Sequence, residues 1–368
     1  MTIMNDATMN SADSLTVTIH DDFAALPDGF AVLAAYPNTS EFFQSIDWFR
    51  CLYDATGGDE RDLRIYCVSD AGKLPLAMLF CIADREKHRL ASLSNFYTMV
   101  YGPLIFDSAT DHRLVYDALF QHIANERPRW RNIEFRFLPE SIDEESALVT
   151  SLQSCGFWCD RDFQYENWYV NTRDQDFGSF FADLPSRVRN TIKRKAKKLS
   201  RDHEVEFRLG RDADDGLAAL VDDYVTVYNK SWKRPEPYPE FMPQLAAVCT
   251  ELGILRLGVL YVDDTPVAAQ FWIVTESQAT IYKLAYDDSL SRMSPGSILS
   301  RDIFEYVLDH DQPAEIDYGV GSEQYKRDWM KKARRLHGLR AINKKTRTGV
   351  LLVAGAKLKN AGKRLLRR

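Results

Sequence analysis

The stretch ILRLGVLYVDDTPVAAQFWIVTESQATIYKLAYD, residues 254–287, is three apolar runs separated by two short polar breaks. ILRLGVLYV (254–262) reads as a strand, and Asp263-Asp264-Thr265-Pro266 supplies a turn. PVAAQFWIV (266–274) reads as a second strand, and ATIYKLAYD (279–287), after a turn at 276–278, as a third. Downstream, SRMSPGSILSRDIFEYVLDH (291–310) reads as a loop and a helix. Ser294 stands at a natural N-cap and Pro295 at the first helical position. EIDYGVG (315–321) closes the unit as a fourth strand, and residues 217–232 precede it as a helix.

The same order occurs earlier in the chain. A helix over 40–54 is followed by strands at 61–69, 74–82 and 88–94, a helix over 111–126 and a closing strand at 131–139. The residues do not repeat, so the pattern is that of a divergent structural duplication with a boundary near residue 170. The expected class is α/β, layered. It has two tandem units, each a mixed, mostly antiparallel sheet flanked by helices. The assigned bounds are 1–14 (a disordered lead), 15–170, 171–345 and 346–368 (a basic tail).

Composition fits that plan. The chain has 368 residues, 45% hydrophobic and 27% charged, enough for two cores. The sequence shows no apolar run of membrane-spanning length, and its first fourteen residues lack the basic and apolar regions of a secretory signal. The six cysteines are scattered. Cys155 and Cys159 have neither a second pair nor a nearby His, so buried reduced thiols in a cytoplasmic protein are expected rather than zinc. No histidine spacing suggests a metal site or a triad, and no metal is expected.

Charge is unevenly spread. Residues 187–201 hold eight Lys/Arg and residues 331–368 hold fourteen, neither segment with an acid. With a net charge of -6, the remainder carries -28. A polyanionic partner (a phosphate-bearing cofactor, RNA or an anionic membrane) or a solvated helix face and tail would each account for these segments. Val188, Ile192 and Leu199 recur at helical spacing and form the core stripe of the first.

The stretches FFQSIDWF, VYGPLI, SRVRNTIKRKAKKL, VAAQFWIV, AYDDSLSRMSPGSIL and IDYGVGSEQYKRDW, in this order and spacing, resemble the Fem-type branch of the GNAT N-acyltransferases. The similarity is greatest to the BioF-like and cellulose-biosynthesis-associated acetyltransferases. It covers about residues 40–345 and is strongest over 185–335. It implies two GNAT-like domains, with the acyl donor in the second and the acceptor held between them. The implied reaction moves an acyl group, in the first instance acetyl, from acyl-CoA to an amine of a sugar, amino acid or peptide-like precursor. Cell-envelope or exopolysaccharide metabolism is the implied setting.

Such a reaction needs a pyrophosphate grip, a polarised carbonyl and an acid for the leaving thiolate. The helix start Arg292-Met293-Ser294-Pro295-Gly296-Ser297 suits the first: Gly296 allows close approach, Ser294 and Ser297 add donors, and Arg292 adds charge. It departs from the usual GNAT signature of an Arg or Gln followed by two closely spaced glycines. The resemblance implies that the carbonyl is held by backbone N–H groups around Leu284 to Asp287, with Tyr286 on the same strand. Lys283 and Tyr286 fall on opposite faces of that strand. Lys283 is assigned with Tyr97 and Tyr101 to the acceptor, the aromatic loop 95–103 being either a cleft lining or core.

Just past the fourth strand, Tyr325 corresponds to the tyrosine that protonates the thiolate in many GNATs, with Lys326 beside it as a second catalytic candidate. Lys326 and Arg327 also suit a phosphate or an acceptor carboxylate. Alternatively, Tyr325 and Trp329 are an i, i+4 apolar stripe, with Lys326, Arg327 and Asp328 on the wet face. Asp287, Glu323 and Asp317 are the nearby acids, none assigned as base.

Two other functions stay open. One is a Fem-like transfer from aminoacyl-tRNA, the basic segments meeting RNA phosphates; residues 187–215 leave little room for the inserted helical arm of such enzymes. The other is a membrane-associated module, residues 349–368 lying on an anionic inner-membrane face as a basic amphipathic helix or trailing as a basic tail.

Overall fold

The computed structural model describes residues 15–365, apart from 40, 59–60, 108–109, 141–145, 214–215 and 322. The expected disordered lead at 1–14 lies outside the described residues. The chain divides into two compact units, Met1–Gln164 with Arg335–Arg368, and Tyr165–Arg334. Residues 335–345, assigned with the second domain from sequence, are therefore part of the first unit.

The first unit begins with β1 (Thr16–His20), α1 (Asp28–Ala34) and α2 (Ile46–Ala55), then β2 (Asp62–Ser69), β3 (Pro75–Asp84), β4 (Arg89–Ser92) and the short β5 (Leu104–Ile105). Next come α3 (His112–Asn125), β6 (Asn132–Pro139) and α4 (Ala147–Ser154). Ser45 caps α2 by accepting from the Trp48 N–H, and Asp111 caps α3 in the same way from Arg113. Antiparallel β1-β2-β3-β4 is followed by β6, which runs parallel to β4 across three residue pairs, Arg89↔Asn132 to Ala91↔Glu134.

Beyond those pairs, β4 and β6 part, and the gap is filled from within. The Tyr101 N–H donates to the Phe137 carbonyl at 3.0 Å, and the Arg136 N–H donates to Ser92 Oγ at 3.2 Å. Tyr97 and Tyr101 are fully buried there. The Tyr101 hydroxyl donates to the Phe80 carbonyl at 2.6 Å, and its ring packs on Phe49 and Phe135. The acceptor role expected for this pair is thereby corrected. A phenol buried in an apolar core is packing, not a free contact, and that of Tyr101 is already bonded.

β7 (Phe157–Asn171) crosses the division at residue 164. The second unit continues with α5 (Phe177–Asp183), α6 (Ser186–Asp202), β8 (Val205–Gly210), α7 (Leu217–Asn229) and α8 (Phe241–Glu251). The three strands of the opening stretch follow as β9 (Leu255–Val262), β10 (Thr265–Val274) and β11 (Gln278–Tyr286), then α9 (Pro295–Tyr306), β12 (Glu315–Val320) and α10 (Gln324–Trp329). Asp263 and Asp264 both have positive φ, the two-residue turn that matches strand twist. The sheet order is β7-β12-β11-β10-β9-β8, with only β11 and β12 parallel.

The core of this unit gathers Trp272, Ile281, Ile298, Leu299, Phe304 and Trp329, with Ile192 and Leu199 of α6 inserted from the side. Val188 packs against the same core, as the helical spacing predicts. The eight basic residues of α6 surround that stripe.

Finally, β13 (Lys332–Asn343) pairs antiparallel with β6, and α11 (Arg347–Leu365) follows. The tail expected at 346–368 is thus helical over its described length. All six cysteines are free thiols, and burial pushes Cys51, Cys67, Cys81 and Cys159 up to about 12. Among the described residues, no helix is long and apolar enough to cross a membrane.

Candidate active site

The second unit also has a gap between its parallel strands. β11 and β12 pair at Gln278↔Glu315, Ala279↔Ile316 and Thr280↔Asp317, and then separate. Their register with other partners changes close to that point. β11 against β10 steps over Tyr282, a bulge between Ile281 and Lys283, and β12 shifts its register against β7 between Asp317 and Val320. The Asp287 N–H donates to the Val267 carbonyl on the β10 side. Alternation along a strand then directs the N–H groups of Leu284 and Tyr286 to the side that β12 has left. Two such donors facing an open slot are what a developing oxyanion requires.

Asp317 pins the point of separation. Its carboxylate accepts from Gln278 Nε2 at 2.7 Å, from the Gly319 N–H at 2.7 Å and from Arg334 at 3.4 Å. Burial pushes this carboxyl above the usual range, with Arg334 opposing. It is a buried structural acid held by several donors. Asp287 is likewise committed, accepting from the Ser289 N–H and Oγ.

One end of the slot is the start of α9. Ser294 occupies the N-cap position, but in the left-handed conformation (φ 58°, ψ 46°), and its side chain makes no capping bond. The expected side-chain cap is therefore corrected; the strain of a non-glycine residue at positive φ sits at this turn instead. The Ser297 and Ile298 N–H groups donate to the Ser294 carbonyl, and Pro295 has none to offer. The Gly296 N–H has no acceptor among the described residues. A side chain at Gly296 would place its Cβ 3.0 Å from the Tyr286 ring, so this close approach favours glycine. Arg292 is exposed, without an ion-pair partner among the described residues. Lys195 of the basic α6 donates to the Arg292 carbonyl. The turn thus combines an open N–H, a helix dipole and two cations, a suitable cradle for a phosphate.

The other end is α10. Gly321, at φ +126°, brings the chain out of β12. A Cβ there would lie 2.8 Å from Lys326 Nζ. Lys326 is only 5% exposed and its ammonium donates to the Val320 carbonyl at 2.5 Å, with Glu323 at 3.2 Å. Burial lowers its pKa and Glu323 raises it. Trp329 is 5% exposed and stacks on Phe304 at 4.7 Å. The inward pair of this helix is therefore Lys326 and Trp329, not Tyr325 and Trp329, and Lys326 is not on a wet face. Bonded as it is, Lys326 positions the helix start rather than meeting substrate. Arg327 lies over the Trp168 ring, and Asp328 pairs with Arg187.

Tyr325, freed from the core, is 37% exposed. Its ring packs edge-on against Tyr318 at 5.5 Å, and its hydroxyl has no hydrogen-bond partner among the described residues. Burial, then Tyr318 and Glu323, push the phenol well above its ordinary value. It stays protonated through the neutral range, as a proton donor must. Tyr318 lies beside Ser300, whose Oγ donates to the Gly296 carbonyl at 2.9 Å and accepts from Gln270 at 2.7 Å. A buried line of contacts therefore ties Tyr325 to the α9 turn.

Lys283 and Tyr286 face opposite ways, as alternation predicts. Lys283 pairs with Glu236 at 2.9 Å, while Tyr286 packs on Gly296 and, at 4.6 Å, on Trp232. The segment NKSWKRPEPYP (229–239) was not singled out from sequence, yet it supplies Trp232, Lys233 and Glu236 to this site. Its signal was an aromatic–lysine run between a helix and three prolines. Lys233 is half-buried, with its ammonium over the Tyr228 ring at 5.5 Å and the Trp232 ring at 5.7 Å. Burial and the neighbouring Lys283 lower its pKa to about 8.

Residues 186–327 match the family model described as an acetyltransferase (GNAT) domain. No curated protein matches the chain. A conserved protein of unknown function from Bacteroides thetaiotaomicron VPI-5482 has a similar structure, with TM-score 0.57 and 13% identity, over 89% of this chain and 100% of that one. FemX is similar with TM-score 0.56 and 10% identity, over 81% of this chain and 92% of its own. A tandem GNAT protein from the clavulanic acid biosynthesis pathway aligns with TM-score 0.49 and 9% identity, over 88% and 98%. At such identities the likeness is one of fold. The fold is that of a GNAT acyltransferase, with the element order present in both units and the GNAT match in the second.

Proposed function

We propose that the second unit transfers an acyl group, acetyl in the simplest case, from acyl-CoA to the amine of a small-molecule or cell-envelope precursor. We also assign the chain to the Fem-type branch, in its BioF-like or cellulose-biosynthesis-associated group, on the order of its motifs. The observation that carries the reaction is the parting of β11 from β12, which turns the Leu284 and Tyr286 N–H groups toward an open slot. The CoA pyrophosphate rests on the Ser294–Ser297 turn, near Arg292. The thioester carbonyl oxygen accepts from the β11 N–H groups. The neutral amine attacks the carbonyl carbon, and the C–S bond breaks as Tyr325 gives its proton to the departing thiolate. The amine's proton leaves to water. Lys326 holds α10 against Val320 and so fixes where Tyr325 stands.

Calorimetric titration with acetyl-CoA, longer acyl-CoAs and free CoA tests the reading. Binding of at least one is expected, and no heat and no thermal stabilisation with any of them would sink it. In the same experiment Arg292→Ala weakens CoA about tenfold or more, the scale of one charged hydrogen bond. It leaves a pantetheine thioester unaffected. Equal losses for both ligands would exclude a phosphate contact.

A membrane contact is supported by a separate feature. Val350, Leu351, Leu352 and Leu358 of α11 are exposed, in a segment rich in Lys and Arg and free of acids. We propose that this helix lies on an anionic bilayer. Flotation with phosphatidylglycerol liposomes is expected for the full chain and not for a chain ending at residue 346; equal flotation of both would contradict it.

A further inference from the structure

The three lysines beside the slot are unevenly balanced. Lys283 has Glu236 at 2.9 Å, and Lys326 has Glu323 at 3.2 Å and the Val320 carbonyl. Lys233 lies within electrostatic reach of all four of these groups. It has no carboxylate of its own; its ammonium makes no hydrogen bond or ion pair among the described residues and rests over two aromatic rings. The cluster therefore carries three cations against two anions. A half-buried ammonium without a counter-charge is costly, and ring faces offset only part of that cost. Trp232, next in the chain, packs on Tyr286 of the donor strand. The vacant counter-charge position thus adjoins the donor strand.

We propose that Lys233 binds an anionic group of the acceptor, a carboxylate or a phosphate carried by the same molecule as the attacking amine. Resting on the acyltransferase reading, this narrows the acceptor class to amino acids, amino-acid-like compounds and phosphorylated amines. Simple cationic amines are excluded, because the unbalanced charge of Lys233 repels them unless an anion comes with the amine.

The test labels the full chain competitively with acetic anhydride near pH 8 and reads each lysine by peptide mass spectrometry. Inorganic phosphate, propionate and chloride are compared at equal ionic strength. An anion seated against Lys233 raises its pKa by about one unit and lowers its labelling about fivefold relative to Lys331. Protection by phosphate alone assigns a phosphorylated acceptor, and protection by propionate a carboxylate. Equal labelling in all three salts overturns the proposal. CoA binding by Lys233→Met is measured alongside. Unchanged affinity is expected, whereas a marked loss would assign Lys233 to the donor and overturn the acceptor role. If CoA binds neither protein, the acyltransferase reading fails while the labelling still decides the anion site.

Discussion

Tyr325→Phe lowers kcat by about 100-fold or more, the scale of a lost general acid, with the acyl-CoA KM little changed. The ring is retained, so its edge-on contact with Tyr318 persists. Its hydroxyl bonds to nothing among the described residues, so its removal leaves no buried partner unsatisfied. The loss then falls on the step in which the thiolate departs, not on folding or donor binding. Steady-state thiol release, with a melting curve for each protein, separates these outcomes. Wild-type turnover in the variant would remove Tyr325 from the acid role.

Trp329→Ala destabilises the chain by about 3–5 kcal/mol, the cost of emptying a buried aromatic site. Trp329 is the inward anchor of a six-residue helix, stacked on Phe304 and within 6.5 Å of Phe180. So short a helix is marginal by itself and owes its place to tertiary packing. Trp329→Phe keeps most of the stack and costs far less. Urea unfolding of the second-unit transition measures both. A loss under about 1 kcal/mol for Ala would mean that Lys326 and its bond to Val320 hold the helix instead.

Much of the fold was legible because it rests on strong periodicity. The three runs of 254–287, the capped helix and the closing strand fall where apolar alternation and turn residues put them. The repeated order in the first half follows the same signals. Other features depend on tertiary context. KARRLHGLRAIN (332–343) reads as a basic segment, yet His337, Leu339, Ala341 and Ile342 are buried as β13 pairs with β6. Lys326 reads as solvated until the Val320 carbonyl and Gly321 explain its burial. Ser294 reads as an ordinary cap, since no local rule announces a left-handed serine.

The two gaps show the limit most clearly. Both units part their parallel strands after three pairs. The backbone bond from Tyr101 to Phe137 reveals that the first gap is filled. That bond joins residues far apart in sequence, so the aromatic loop looked equally suited to a cleft or to a core. Lys233 was missed for a related reason: an exposed-looking lysine becomes informative only when its neighbours' partners are known.

A crystal structure of the full chain with bound CoA tests the central claim most directly. The account predicts the pyrophosphate against the Gly296 N–H at the Ser294–Ser297 turn, with the pantetheine arm running along the β11 side of the slot past Leu284 toward Tyr325. CoA bound elsewhere, or a β11–β12 slot that stays empty at saturating CoA, would contradict it.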